Sequence, residues 1–211
     1  MLRRLAALVG LLIPITALGQ AQTLTLFASA KAARSLYIYE SLRNETARLM
    51  APAGHTLEWK SLTDPRSGES YANLVVAELE GVCTASALAP PSESARLAAA
   101  AVSDGQVLPF IRIDCNRLRQ MLYPVLAGRK PLDREYLFGR ALGRVLAHEL
   151  FHVLANRRDH EEQGVAKSCF NVRNLLDDDF GFDSASLEQM RPAPAVTAAL
   201  ERTGGEAGSG R

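Results

Sequence analysis

Three of the four histidines in the chain lie within thirteen residues, at His148, His152 and His160. The run His148–His152 reads H-E-L-F-H, which fits the pattern H-E-x-x-H. On a helix, residues four apart project from one face, so both imidazoles can bind one zinc ion. Glu149 then lies beside the metal, where it can accept a proton from a bound water. The pattern therefore predicts metal-dependent hydrolysis.

A zinc site in an enzyme usually has three protein ligands and one position left open for water. His160 follows His152 by eight residues. It lies beyond the expected end of the helix, so the chain can turn back towards the metal. Rival third ligands are the nearby carboxylates Asp159, Glu161 and Glu162. The fourth histidine, His55, is remote in sequence and is expected on the surface or in a turn.

A helix over residues 133–155 must position these ligands. Asp133 can cap it and Asn156 suits a turn just past its end. Gly139 and Gly143 weaken a helix unless another element packs closely there, which predicts a helix buried against a sheet. The apolar stripe consists of Leu137, Ala141, Leu142, Val145, Leu146, Leu150 and Val153.

The stretch from His148 to Lys167 resembles the metzincin zinc metalloproteases, in which H-E-x-x-H-x-x-G-x-x-H precedes a methionine-containing turn. It resembles more closely a group of small secreted bacterial proteins whose third histidine comes eight residues after the motif and before a Gly-Ile-Met-like turn. The matching positions are His148, Glu149, His152, His160 and the turn Gly164-Val165-Ala166. Two departures from the metzincin pattern are clear. Ala155 replaces the glycine, with the third histidine two residues later, and Ala166 replaces the methionine.

The resemblance implies an α+β fold of the zincin type. A mixed β-sheet packs against two main helices, the second carries H-E-x-x-H, and the C-terminal part is irregular. The implied function is a secreted zinc metallopeptidase, with Zn²⁺ held by His148, His152 and His160 and with Glu149 as general base. An edge strand beside the metal helix could align an extended substrate by strand addition.

Two other functions remain open from the sequence. One is a secreted zinc-binding protein of the same fold without peptidase activity. It is motivated by Ala166 and by the lack of an assigned second oxyanion donor, for which the candidates are Tyr123, Tyr136, Arg157 and Arg158. The other is a structural domain in which the motif is incidental.

The chain begins like a secretory signal peptide over residues 1–21, with Arg3 and Arg4 before an apolar run that is too short to span a bilayer. We expect a single catalytic domain over 22–202, a disordered tail over 203–211 and a secreted or periplasmic protein. Removal of residues 1–21 leaves 22 basic and 23 acidic residues. This near balance gives nucleic-acid binding no support. We expect a monomer that acts on a peptide or protein, without a stable membrane anchor.

In an oxidising compartment an even number of cysteines is expected to pair, and this chain has three beyond the signal peptide. We expect Cys83 to pair with Cys115, because both lie near the ends of predicted strands, and Cys169 to be free and buried. The alternative is that Cys169 pairs with one of the others. The acidic run 177–179 is read as a solvated helix end in preference to a calcium site.

The remaining elements follow from apolar periodicity and from turn residues. Residues 84–105 are expected to be irregular with a short helix over 94–101, and 64–68 to form a turn. Strands are predicted over 23–28, 55–60, 74–79 and 107–114. Helices are predicted over 30–50, 116–122, 172–176 and 184–190.

Overall fold

The computed structural model describes residues 21–29, 35–62, 69–85, 92 and 94–192. The predicted signal peptide, apart from Ala21, the turn at 64–68 and the tail at 203–211 lie outside these residues. The strands are β1 Gln22–Ala28, β2 His55–Ser61, β3 Leu74–Glu80, β4 Ala98–Ser103 and β5 Gln106–Asp114. The helices are α1 Leu36–Met50, α2 Cys115–Leu126, α3 Pro131–Ala155, α4 Val172–Leu176 and α5 Ser184–Met190.

The five strands form one mixed sheet in the order β2-β1-β3-β5-β4. The pairs β1–β2, β1–β3 and β3–β5 are parallel, whereas the edge strand β4 runs antiparallel to β5. Helices α1 and α3 pack on each other, α3 also contacts β4 and β5, and α1 contacts β2. The predicted α+β class is therefore confirmed. The core lies between this helical layer and the sheet.

Helix α3 approaches α1 closely at Gly139 and Gly143. A Cβ on Gly139 would lie 2.4 Å from the backbone oxygen of Ile38, and one on Gly143 would lie 2.8 Å from that of Leu42. The prediction of close packing at these glycines is confirmed, but the partner differs. They face a helix, because the sheet covers a different part of α3.

A buried ion pair crosses the same interface. Arg144 is fully buried, and its Nε donates a 2.7 Å hydrogen bond to Glu45 Oε1 on α1. Its two Nη atoms donate to the backbone oxygens of Asn174 and Asp177. One side chain thus joins α1, α3 and the segment around α4.

Strand β4 contradicts the expectation of an irregular region with a helix over 94–101. Its alanines favour a helix in isolation, but pairing with β5 overrides that preference. A tight turn joins the two strands through Asp104 (φ 49°) and Gly105 (φ 80°). Asp-Gly between two strands is a strong hairpin signal, so the strand could have been recognised from the sequence.

Two smaller predictions are corrected by the structure. His55 is not a surface or turn residue but is buried in β2, with its Nε2 2.7 Å from the backbone oxygen of Met190 at the end of α5. Asp133 is not the N-cap of α3. The helix begins two residues earlier at Pro131, whose ring suits the first helical position, and Asp133 lies in the first turn.

The cysteine predictions are confirmed in part. Cys83 and Cys115 form a disulfide that joins the chain just after β3 to the first residue of α2. Cys169 is free, as expected, but it is exposed. Among the described helices, none combines the length and low polarity that a bilayer-spanning segment requires.

Candidate metal centre

The three histidines converge on one point. His148 and His152 lie one turn apart on α3, and their Nε2 atoms are 3.1 Å apart. The ring of His160 stacks on that of His148, with the centroids 5.3 Å apart. One ring nitrogen from each of the three residues lies within 4.8 Å of the others, so the group could hold a metal ion.

The return of the chain after α3 brings His160 to this point. Asn156 ends the helix in the left-handed conformation, and the Arg157 N–H donates back to the oxygen of His152. Asn156 Oδ1 also accepts from the Val107 N–H, which ties the bend to β5. The two residues by which the spacing of His152 and His160 exceeds the metzincin pattern are thus accommodated in a bend whose start is fixed by these hydrogen bonds.

Backbone carbonyls orient both helical imidazoles. His148 Nδ1 lies 2.7 Å from the oxygen of Val165, and His152 Nδ1 lies 2.7 Å from that of Arg157. A carbonyl only accepts hydrogen bonds, so each Nδ1 carries the proton and each Nε2 presents a lone pair. Histidines that bind a metal through one ring nitrogen typically donate the other ring N–H to an acceptor of this kind.

The charge state of the imidazoles also suits a cation. Burial lowers the pKa of His148 to about 4 and lowers the pKa of His152. Both rings are therefore neutral at neutral pH, as metal ligands must be. Two nitrogens each about 2.05 Å from a tetrahedral zinc ion lie roughly 3.3 Å apart, close to the 3.1 Å found here. The residues present fit the metal that the sequence pattern implies.

The turn that carries Val165 is closed by several backbone bonds. The Glu161 N–H donates to the oxygen of Ala166, and the Val165 N–H donates to that of Gly181. Gly164 adopts φ 66°, and a Cβ there would lie 2.7 Å from the Gly181 oxygen. Ala166, where the resemblance implies methionine, is fully buried.

The side chain of Glu149 on α3 reaches the edge strand β4. Its Oε2 accepts a 2.7 Å hydrogen bond from the Ala100 N–H on β4. Burial raises the pKa of Glu149 to about 7, against the opposing effects of that hydrogen bond and of the positive charge on Arg96. A carboxyl with this pKa can take up and release a proton near neutral pH.

These groups line a cleft of about 1080 Å³. Strand β4 contributes a run of alanines, α3 contributes Glu149 and two of the histidines, and the remaining lining includes the segments after α3 and around Cys169. The cleft therefore combines the candidate metal ligands, a carboxyl of raised pKa and the edge strand β4.

The structure also shows where the alternative metal ligands and the candidate oxyanion donors lie. The metal-binding group contains none of Asp159, Glu161 and Glu162, and Glu161 instead accepts from Arg157 and Gln189. Of the four oxyanion-donor candidates, only Arg157 and Arg158 line the cleft. Tyr123 faces a separate small cavity, and Tyr136 lies under the guanidinium of Arg140.

Two contacts at this centre were not predicted. Ala100 contributes only its backbone, which an alanine-rich sequence does not reveal. Phe170 packs edge-on against His148, with ring centroids 5.2 Å apart, and against Phe180 at 5.7 Å. Phe170 lies three positions after Lys167, but nothing in its spacing from the histidines predicted this contact.

Comparisons of the chain with protein-family models, with curated proteins and with solved structures return no match. The fold and the site together define a mixed α/β protein with a three-histidine candidate metal centre in an open cleft.

Proposed function

We propose that this protein is a secreted zinc metallopeptidase, in which Glu149 is the general base. The observation that carries the proposal is the position of this carboxyl. It neighbours His148 on α3 and binds the backbone of the open edge strand at Ala100. Its pKa of about 7 suits proton transfer at neutral pH.

Zinc fits the ligands better than a harder cation does. Three imidazole nitrogens suit zinc, whereas magnesium and calcium prefer oxygen ligands. Three protein ligands also match the number typical of catalytic zinc sites, which leave one position open. When bound at this centre, zinc would supply Lewis acidity that polarises a carbonyl and makes a water molecule more acidic.

The chain's own groups supply the remaining steps. Glu149 Oε would take a proton from the attacking water and deliver it to the nitrogen of the leaving amine. The hydrogen bonds to Val165 and Arg157 keep the imidazoles of His148 and His152 in one tautomer and one orientation throughout.

The edge strand can hold the substrate. Leu97 accepts a hydrogen bond from the Asp114 N–H at the end of β5. Because backbone groups alternate in direction along an antiparallel strand, Ala98 and Ala100 direct theirs away from β5. This agrees with the contact between Ala100 and Glu149. An extended peptide that pairs with this edge would lie beside the proposed base.

The mixed sheet packed against two main helices is the arrangement that a zincin-type peptidase requires. The Cys83–Cys115 disulfide fits an oxidising compartment outside the cytoplasm. Both observations support a secreted peptidase.

The test is Glu149→Gln, with Glu162→Gln as a matched control because Glu162 is exposed and outside the metal-binding group. Mature wild-type protein and both variants are assayed for zinc content and for cleavage of a mixed peptide library by mass spectrometry. All three should bind one zinc ion, and only Glu149→Gln should lose cleavage. Zinc binding without cleavage in the wild type would contradict the peptidase and favour the second function, a zinc-binding protein without peptidase activity.

A further inference from the structure

The walls of the cleft carry an unequal distribution of charge. Its lining includes two anionic side chains, Glu149 and Asp159, and five cationic ones, Arg96, Arg117, Arg157, Arg158 and Lys167. The whole chain, by contrast, has a formal charge of only +1. Positive charge is therefore concentrated at the cleft, and a bound zinc ion would increase it.

Three of these arginines form no salt bridge with any described residue. Within residues 21–29, 35–62, 69–85, 92 and 94–192, Arg157 forms a salt bridge with Glu161, but Arg96, Arg117 and Arg158 form none. Arg96 and Arg117 are both exposed. Arginines without a partner in a concave site attract anionic ligands and increase their rate of association.

Two of these three arginines lie at one end of the edge strand β4. Arg96 comes two residues before β4, and Arg117 lies in the first turn of α2, directly after β5. The Asp114 N–H at the end of β5 bonds to Leu97, so these two segments are adjacent. The strand between this end and Glu149 consists of Ala98, Ala99 and Ala100, whose methyl groups offer little side-chain selection.

We propose that the cleft selects peptides with an acidic side chain, held by Arg96 and Arg117 at the entrance to β4. This inference rests on the proposed peptidase function and adds the substrate class. Carboxylates match the planar donor fork of arginine. Among the described residues that line the cleft, Phe170 is the one Phe, Tyr or Trp, and it packs on His148 and Phe180. This disfavours nucleic acid, because single strands are usually held by stacking on several such rings.

The test uses sets of three extended peptides that differ only in having Glu, Gln or Lys at one position. Each set places the substitution at a different position along the peptide. Binding is measured by fluorescence anisotropy with zinc-loaded Glu149→Gln, which should leave the peptides intact, and cleavage is measured with the wild type. At one position the Glu peptide should bind and be cleaved about tenfold better than the Gln peptide. The Lys peptide should bind and be cleaved worst. The preference should decrease as salt screens the charges.

The assignment to the two arginines is tested with Arg96→Gln/Arg117→Gln. The control is Arg129→Gln/Lys130→Gln, which removes the same charge from two exposed residues outside the cleft lining. The first variant should lose the preference for Glu over Gln, a change of about tenfold for two exposed contacts, and the control should keep it. An unchanged preference in the first variant would overturn the assignment.

The two proposals fail in different ways. Equal cleavage of the Glu, Gln and Lys peptides would overturn the acidic preference and leave the peptidase standing. Binding of the Glu peptide to Glu149→Gln without any cleavage by the wild type would contradict the peptidase while supporting acidic recognition. Tighter binding of a single-stranded oligonucleotide of equal charge would overturn the assignment to peptides.

Discussion

The guanidinium of Arg144 lies 2.7 Å from the carboxylate of Glu45, at the buried contact between α1 and α3. Arg144 stands one helical turn before His148, so this pair is adjacent to the candidate metal centre. Through Asn174 and Asp177, Arg144 also holds the segment that precedes Phe180. Phe180 in turn contacts Phe170, which packs on His148. The pair is therefore linked to the candidate metal ligand His148 through a continuous series of contacts.

Arg144→Met should lower the free energy of unfolding by about 3–5 kcal/mol. It leaves two backbone carbonyl groups without their donor and leaves the buried Glu45 with only the half-exposed Arg48 as its partner. Arg48→Met is the matched control, since Arg48 binds the same carboxylate but is half exposed. It should cost no more than about 1 kcal/mol. Urea denaturation measures both. Equal losses would contradict the role assigned to the buried pair.

The same pair makes stability depend on pH. Burial tends to raise the pKa of Glu45, but the hydrogen bonds and charges of Arg48 and Arg144 outweigh burial and hold the pKa below its ordinary value. A depressed pKa in the folded state stabilises the protein above the unfolded-state pKa of about 4.3, and this contribution is lost as pH falls through the folded-state pKa. The difference in unfolding free energy between wild type and Glu45→Gln should therefore be largest near pH 7. It should shrink below about pH 4, and a difference that stays constant from pH 7 to pH 3 would refute this.

Gly139→Ala should destabilise the protein although alanine favours helices. The new Cβ would meet the backbone of α1 at 2.4 Å. Such overpacking typically costs about 1–3 kcal/mol. Alanine in place of glycine gains about 1 kcal/mol in helix propensity, which does not offset that cost. Gly128→Ala, with no atom within 4 Å of the new Cβ, is the control and should change the melting temperature little. A stabilised Gly139→Ala would show that α1 moves aside easily.

His160→Ala should weaken zinc binding by more than about a hundredfold, since loss of even an outer contact to a ligand typically costs 10- to 100-fold. His160 is exposed, so the fold should persist. Competition with a chromophoric chelator measures the affinity, and circular dichroism checks the fold. Retention of wild-type affinity would mean that the third ligand is another residue.

Gly164→Ala tests the turn that orients His148. The substitution adds both strain at φ 66° and a contact with the Gly181 oxygen, and it should displace the carbonyl of Val165. Zinc affinity should fall by about tenfold or more. Gly105→Ala carries a comparable strain at φ 80° with open space around it, and it should leave the affinity unchanged. Equal effects of the two variants would assign the loss to strain alone.

The sequence predicted most of the elements because their signals are local. Strands β1, β2, β3 and β5 and all five helices lie close to their expected positions. The three histidines also converge as their spacing suggested, since a helix fixes the first two and a bend at Asn156 returns the chain.

The predictions that were wrong or absent depend on distant residues. Strand β4 exists because it pairs with β5. The buried His55 is hydrogen-bonded to Met190, which lies 135 residues away in sequence. The contact of Glu149 with Ala100 and the ion pair of Arg144 with Glu45 likewise join remote parts of the chain. No local pattern encodes such contacts, although the Asp104-Gly105 turn did mark the hairpin.

The hydrogen bond from Val165 to Gly181 bears on when the three-histidine site can assemble during synthesis. The carbonyl that orients His148 is itself held by a residue 16 positions further on, and Arg144 is held by Asp177. A chain that is still being synthesised, or that has been cut before residue 181, contains the histidine motif without the framework that aligns it. The contacts that orient His148 can therefore form only after residue 181 has been synthesised, close to the end of the described chain.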